Sequence, residues 1–351
     1  MTWSLLPIRG DLGPFKPIWD ALNAELCGAN PYFDSGFIEP LLEHFASGRE
    51  CLCVHTEAGE VDALLIAAPA RGGKWSLFVP HQAQIAPIMA RRPEVLKSLM
   101  PVMPGWVLGM DMLYQDPQAS PLAGQGSVLP CVCSPHAHTM GIHIDDAFTD
   151  YWSGRSGKLR NNVARRLRRI KDAGIRLRLE RLAAPDEMQS AVARFGEMES
   201  KGWKGVAGTA VHPENAQGRF YADVMARFAL KGMATVYQLY FNDELVAMQL
   251  CIASKAMLVL LKTTYDESQA AYSPGRLLLY ALLEEEFSRK AVHDVEFYTN
   301  ADQDQLAWAT HDRWISHYMM FRNPFLKSVY QYLKSVSDAV RARSRDKFPI
   351  D

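Results

Sequence analysis

The stretch VYQLYFNDELVAMQLCIASKAMLVLLKTTYDESQAAYSPGRLLL, Val236 to Leu279, decides the architecture. It reads as a strand, a tight turn at Phe241-Asn242-Asp243-Glu244, a second strand, a short polar turn at Ser254-Lys255 and a third strand. A polar loop then leads into an apolar helix that opens on Ser273-Pro274-Gly275-Arg276. Upstream, CLCVHTEAGEVDALLIAAPARGGKWSLFVPHQAQIAPIM, Cys51 to Met89, has the same order, with Glu57-Ala58-Gly59-Glu60 and Arg71-Gly72-Gly73-Lys74 as its turns. The two align in register, Glu60 with Glu244 and Ala63 with Ala247, and the agreement runs through three strands. Two copies of one α/β unit follow, with a boundary near residues 145–155.

The helix opening carries chemistry of its own. Ser273 is a good N-cap, and Pro274 at the first helical position gives up an N–H that would be unpaired anyway. Gly275 has no Cβ, so another molecule can come close to the backbone. The N–H groups of Gly275, Arg276 and Leu277 are expected to point outward, with the positive end of the helix dipole behind them, an arrangement suited to phosphate or pyrophosphate. Arg276 adds a charge able to pair with phosphate bidentately. The bland alternative is a plain helix start. In the first copy the loop read as equivalent, HQAQIAPIMARR, has Pro87 but no glycine beside it. The contrast favours one unit that binds and one that supports.

Composition sets outer limits. The 351 residues are 48% hydrophobic and 22% charged, enough for a sizeable core and long enough for two domains. Net charge is -1, so no overall field points to nucleic acid or membrane. Basic charge is nevertheless concentrated: Arg155 to Arg181 holds eleven Lys/Arg against Asp172 and Glu180. No secretory signal is visible in MTWSLLPIRGDLG, and no apolar run reaches the roughly 18 residues of a membrane span. Six cysteines in a chain of this size do not make a disulfide framework, so a cytoplasmic protein with reduced thiols is expected.

Helices are predicted over PIWDALNAEL, SGFIEPLLEHFAS (capped by Ser35), PEVLKSLM, the basic segment Tyr151–Asp172, PDEMQSAVARFGEMESKGW and GRFYADVMARFALKG. IRLRLERL and DVEFYT read as strands. Leu326, Val329, Tyr330, Leu333, Val336 and Val340 recur at helical spacing, which predicts an amphipathic closing helix. With no low-complexity linker between them, the halves are expected to pack tightly.

Five pieces in order, KLRNNVARRLRRI (158–170), ESKGWKG (199–205), NDELVAMQL (242–250), TYDESQAAYSPGRLLL (264–279) and VEFYTNADQDQLAW (295–308), resemble the bacterial acetyltransferase-like family associated with cellulose and exopolysaccharide biosynthesis. That family belongs to the GNAT superfamily and is related to the Fem aminoacyltransferases. The resemblance implies an α/β (α+β) fold of tandem GNAT-like domains, each a mixed central sheet flanked by helices. Residues 1–150 would form a degenerate GNAT-like domain, 151–325 a GNAT domain binding acyl-CoA, and 326–351 a closing helix and tail. It implies acetyl-CoA or another acyl-CoA as co-substrate, with the pyrophosphate at Ser273, Pro274, Gly275 and Arg276 and the acyl-pantetheine arm beside Leu260 to Thr264. At Asp304-Gln305 the sequence departs from the Tyr-Lys pair common in the family, which leaves a catalytically degenerate scaffold as an alternative.

Transfer from a thioester to an amine needs a neutral amine, a stabilised oxyanion and a protonated leaving thiolate. Glu199 and Glu296 are candidate bases; the pattern alone favours an exposed helical carboxylate for the first and a surface charge for the second. Tyr265 could protonate the sulfur, although a core tyrosine is the plainer reading. Trp203 with Lys204, and Trp308, are candidates for an acceptor pocket. Lys158 and Arg165 stand for the basic helix, which is read as attracting an anionic acceptor, such as a nucleotide sugar or polysaccharide precursor, or the CoA phosphates. Aminoacyl-tRNA is the second candidate partner, set back by the absence of aromatics along the basic segment after Trp152. Cys51-x-Cys53, Cys131-x-Cys133, His136, His138 and His143 invite a metal reading, but the spacing does not fit zinc motifs and no metal is expected. No local signature marks a Ser/Cys-His nucleophile.

Overall fold

The computed structural model describes residues 2–124, 129–202 and 211–347, with side chains as far as Val336. The strands are β1 (Thr2–Pro7), β2 (Cys51–Glu57), β3 (Glu60–Ala70), β4 (Lys74–Leu77), β5 (Ile88–Ala90), β6 (Gly109–Gln115), β7 (Cys131–His143), β8 (Leu177–Leu182), β9 (Ala234–Phe241), β10 (Glu244–Ala253), β11 (Met257–Tyr265), β12 (Asp294–Glu296) and β13 (His311–Phe321). The helices are α1 (Lys16–Leu26), α2 (Ser35–Phe45), α3 (Leu99–Val102), α4 (Phe148–Ser153), α5 (Gly157–Asp172), α6 (Pro185–Lys201), α7 (Ala216–Leu230), α8 (Pro274–Arg289), α9 (Gln303–Leu306) and α10 (Pro324–Lys347).

The repeated hairpins match in detail. In β2–β3 the register shifts so that Thr56 faces Val61 and His55 faces Ala63; in β9–β10 Tyr240 faces Leu245 and Leu239 faces Ala247. One residue is therefore bulged at the same place in each copy, Asp62 and Val246. The turns agree too, since Ala58 and Asn242 both take positive φ, 50° and 54°. An asparagine tolerates this conformation readily, and in the first copy Gly59 at φ 87° completes the turn.

Among the described residues thirteen strands form one sheet, in the order β1-β2-β3-β4-β6-β13-β7-β12-β11-β10-β9-β8, with β5 added on β3. Most neighbours are antiparallel, but β4 runs parallel to β6 and β11 parallel to β12, so each unit has a mixed sheet. Between these parallel pairs the units exchange arms. β7, from the first half of the chain, pairs with β12 and β13, while β13, from the second half, is inserted between β6 and β7.

Helices α2, α6 and α7 share one apolar layer on one face of the sheet, joined by Phe37, Phe45 and Phe220 edge to face at 5.4 Å. On α7, Phe220, Val224 and Phe228 are buried at helical spacing, and each such side chain contributes about 1.5–3 kcal/mol by leaving water. Lys231–Asp34 (2.6 Å) and Arg227–Glu39 (2.8 Å) link the halves at the rim of this layer. On the opposite face α4, α5 and α8 cover the second unit.

Local readings need three adjustments. The cap of α2 is Asp34, whose side chain accepts from Gly36 N, and not Ser35. The basic segment is two helices, broken at Gly154–Ser156, because the Ser156 side chain caps α5 by accepting from Leu159 N. PEVLKSLM is mainly a 3-10 turn over Pro93–Ser98 that passes into the short α3. Among the described residues no helix is long and apolar enough to cross a membrane.

Candidate active site

β11 and β12 are paired over three positions, from Met257 with Asp294 to Val259 with Glu296, and then diverge. A cleft of about 440 Å³ opens between them, with α8 along one side and the segment around α9 along the other. Its deep wall is apolar, from Leu260, Leu278, Leu282, Phe297 and Trp308, and its mouth is polar. Inside it β11 carries an irregularity: Leu260 faces Cys251 and Lys262 faces Leu250, which leaves Leu261 outside the ladder. A bulge of this kind leaves the extra residue's backbone polar groups out of the ladder.

Gly275 and Arg276 line the mouth, as the sequence suggests, but the cradle is built differently. Ser273 occupies the cap position in a left-handed conformation (φ 56°, ψ 59°), and its side chain makes no capping bond. Its carbonyl accepts from both Arg276 N (3.1 Å) and Leu277 N (3.2 Å). Of the three amides expected to point outward, two, those of Arg276 and Leu277, are thus satisfied inside the turn. Pro274 is buried and sets the turn without lining the cleft. A Cβ on Gly275 would sit 3.4 Å from Tyr265 Cδ1, so the glycine keeps open the space beside that ring.

The first copy is built differently at the corresponding place. Cys251 faces Leu260 and Ala247 faces Tyr265 in the second unit; Ala67 faces Leu77 and Ala63 faces Ala90 in the first. β4 and β5 together therefore take the place of β11, and residues 78–87 are an excursion where Leu261 bulges. Pro87 corresponds to this bulge and not to Pro274. The counterpart of Pro274 is Pro93, which also starts a helical turn, with Glu94 where Gly275 stands. An acidic side chain in that position repels phosphate.

Charge gathers at the mouth. Arg276 Nη2 is 3.0 Å from Asp304 Oδ2, so the unexpected acid at 304 is the partner of the cleft arginine. Arg166, on α5, has its pKa lowered by burial and then by the positive charges of Arg276 and Arg165. Arg169 stacks on Tyr272 at 5.1 Å and donates to Ala271 O (3.2 Å), bracing the loop before α8. Lys158 and Arg165, the residues singled out in the sequence, are exposed. Arg166 is the member of the helix that crowds Arg276.

Glu199 is 2% exposed, not a surface carboxylate. Both of its oxygens accept from Lys262 Nζ at 3.0 Å, and Oε2 accepts from Val211 N at 2.8 Å. The apolar stripe of α6, Met188, Ala191, Val192, Phe195 and Met198, includes position 199, so helical spacing alone could have placed it inside. Thr264, implied as cofactor-binding, is buried on the other side of β11 and lines a small pocket with Glu199. Thr263 is the threonine in the cleft, bonded to Gln249. Tyr265 is 44% exposed, not a core tyrosine, and lies against Gly275 at the mouth of the cleft.

Glu296 is buried as well. Arg313 reaches it through Nη1 (3.1 Å) and Nη2 (3.0 Å) and reaches Asp116 through Nε (2.8 Å) and Nη2 (2.7 Å). The two carboxylates raise the arginine's pKa against the cost of burial. Glu296 does not line the cleft; it fastens the exchanged strand β13. Trp308 forms part of the cleft floor, 5.5 Å from Trp152, and its carbonyl accepts from Tyr151 Oη (2.7 Å). Trp203 and Lys204 lie outside the described residues.

Residues 157–306, the stretch that builds this cleft, match the family model for the acetyltransferase (GNAT) domain. FemX shares the fold over 94% of this chain and all of its own, at 8% identity and a TM-score of 0.57. A conserved protein of unknown function from Bacteroides thetaiotaomicron aligns over 91% of this chain and 99% of its own (12% identity, TM-score 0.54). L-PGS from Bacillus licheniformis aligns over 90% and 93% (12% identity, TM-score 0.50). No curated protein matches the sequence. The second unit thus matches a GNAT acetyltransferase domain model within a larger mixed sheet, a likeness that supports an acyltransferase.

Proposed function

We propose that the chain is an acyl-CoA-dependent N-acyltransferase that moves an acyl group, acetyl in the simplest case, from a thioester in the β11–β12 cleft to an amine. The observation that carries the reading is the mouth of the cleft, where Gly275 and Arg276 line a space kept free of side chain and Arg166 adds a positive charge near Arg276. CoA phosphates would lie there, and the pantetheine arm would follow β11 from Tyr265 toward Leu261. At the bulge, backbone released from the ladder would meet the thioester carbonyl and stabilise the oxyanion as the amine attacks. Glu199 would hold Lys262 in place from the far side of β11 rather than act as the base. Tyr265, at the phosphate end, would pack on the cofactor and not protonate sulfur. The acceptor fits the basic surroundings if it is an amino sugar or an anionic polysaccharide precursor.

Calorimetry with acetyl-CoA on the native chain and on Gly275→Trp tests the reading. Saturable binding that disappears in the variant supports it; equal binding by both, or none by either, removes it. The exposed Lys158, Arg165 and Arg168 of α5, which do not line the cleft, favour a second reading with aminoacyl-tRNA as donor. Binding of charged tRNA with a steep salt slope, reduced when these residues are neutralised, would support that alternative.

A further inference from the structure

The arm exchange brings together three metal-binding side chains that lie far apart in the sequence. His143 ends β7, Asp294 begins β12 and His311 begins β13. Asp294 is paired with His143, and His311 is paired with Gly141, two residues before it. The imidazole rings of His143 and His311 stack at 4.2 Å with 26° between their planes, and His143 Nδ1 is bonded to Asp294 Oδ1. One ligand atom from each of the three residues lies within 4.8 Å of the others.

We propose that His143, Asp294 and His311 form a binding site for a divalent transition ion, zinc by preference, that fastens the exchanged strands β7, β12 and β13 at one end. Two imidazoles and one carboxylate are a borderline donor set, suited to zinc and its neighbours and poorly suited to magnesium or calcium, which take oxygen ligands. Three protein ligands leave coordination to water, and His143, half exposed, leaves a path for the ion. The surroundings are prepared for it. The His311 ring occupies the space that a side chain on Gly141 would fill. Its Nε2 is 3.2 Å from Glu296 Oε1, itself gripped by Arg313, so a fixed carboxylate orients the ring. Thr310 Oγ1 accepts from His143 N at 2.7 Å and holds the strand end. The second group of this kind among the described residues, Glu43, His44 and Asp223, has one histidine and sits on helix surfaces. Such a site departs from the sequence expectation of no metal, which rested on the Cys-x-Cys spacing and did not foresee that strand pairing brings His143, Asp294 and His311 together.

The test is calorimetric titration of the full chain, stripped with a chelator, against Zn²⁺ alone. One saturable site is expected, lost in His143→Ala/His311→Ala and retained in His44→Ala. Asp294→Asn should weaken it by more than about 100-fold, beyond the roughly 10–100-fold that an outer partner of a metal ligand is worth. Because the ion would bind only the folded strands, it should also raise the thermal midpoint of the native chain and not that of the double variant. If circular dichroism shows the double variant unfolded, Asp294→Asn decides. Absence of saturable binding, a site unchanged in these variants, or loss of the site in His44→Ala overturns the proposal.

Discussion

Arg276 has a resident partner in Asp304 and a prospective one in phosphate, and the two compete for one guanidinium. Asp304 is well exposed, and an ion pair of this kind is worth about 0–1 kcal/mol. Replacing it with asparagine should therefore tighten acetyl-CoA binding by up to about fivefold, while Arg276→Ala weakens binding and makes it less sensitive to salt. Calorimetry at two ionic strengths reads both; weaker binding by Asp304→Asn would mean that the acid positions the arginine for its ligand. At this scale the sequence is legible where the chemistry is local. Pro274-Gly275-Arg276 at a helix start follows from backbone rules, but the left-handed Ser273 does not, because it depends on the loop that delivers the chain. Glu199 and Glu296 looked like free carboxylates because their partners, Lys262 and Arg313, become neighbours only when the strands assemble.

At the scale of the element, β13 is paired along both edges, with β7 and β6, and is tied down further by Arg313, which is nearly enclosed between two buried carboxylates. Arg313→Met would leave Asp116 and Glu296 together without a counter-charge, a loss of about 3–5 kcal/mol. Urea unfolding should show it, and a change below about 1 kcal/mol would indicate that water already reaches the pair. Farther along the strand His317 Nδ1 accepts from Tyr114 N (3.0 Å), and the ring stacks on His136 at 4.1 Å. Burial, and then the neighbouring His136, lowers its pKa from 6.5. The unfolded chain takes up this proton first as pH falls, so stability is complete above about pH 6.5 and declines below it until the folded form is protonated too. His317→Asn should make the thermal midpoint less dependent on pH between 7 and 5. Helices and hairpins were readable from period and turn residues, down to the matched turns at Ala58 and Asn242. β7 and β13 were not, since PCVCSPHAHTMGIH lacks apolar alternation over much of its length and its partners are over 150 residues away.

For the whole molecule, the exchange of β7 and β13 means that neither half owns a complete sheet. The first half keeps β4 and β6 but takes β13 from the second; β12 in the second half has only its short pairing with β11 until β7 arrives. An unpaired strand edge invites association, and a half-chain presents one at the point where the apolar layer of α2, α6 and α7 is also cut. The chain can be divided at exposed Asp145 and Asp146, after β7 and before α4, without cutting an element. The pieces 1–145 and 146–351 should each aggregate when made alone and should give a soluble one-to-one complex when made together. Size-exclusion chromatography with mass measurement checks this. A monomeric, cooperatively folded piece 146–351 would show that β12 and β13 can pair within their own unit, and that the exchange is a choice of arrangement and not a requirement of the fold. If the pieces do need each other, the cleft depends on the first half as well, because Phe297 and Thr299 on its far wall directly follow β12, the strand that β7 holds in place.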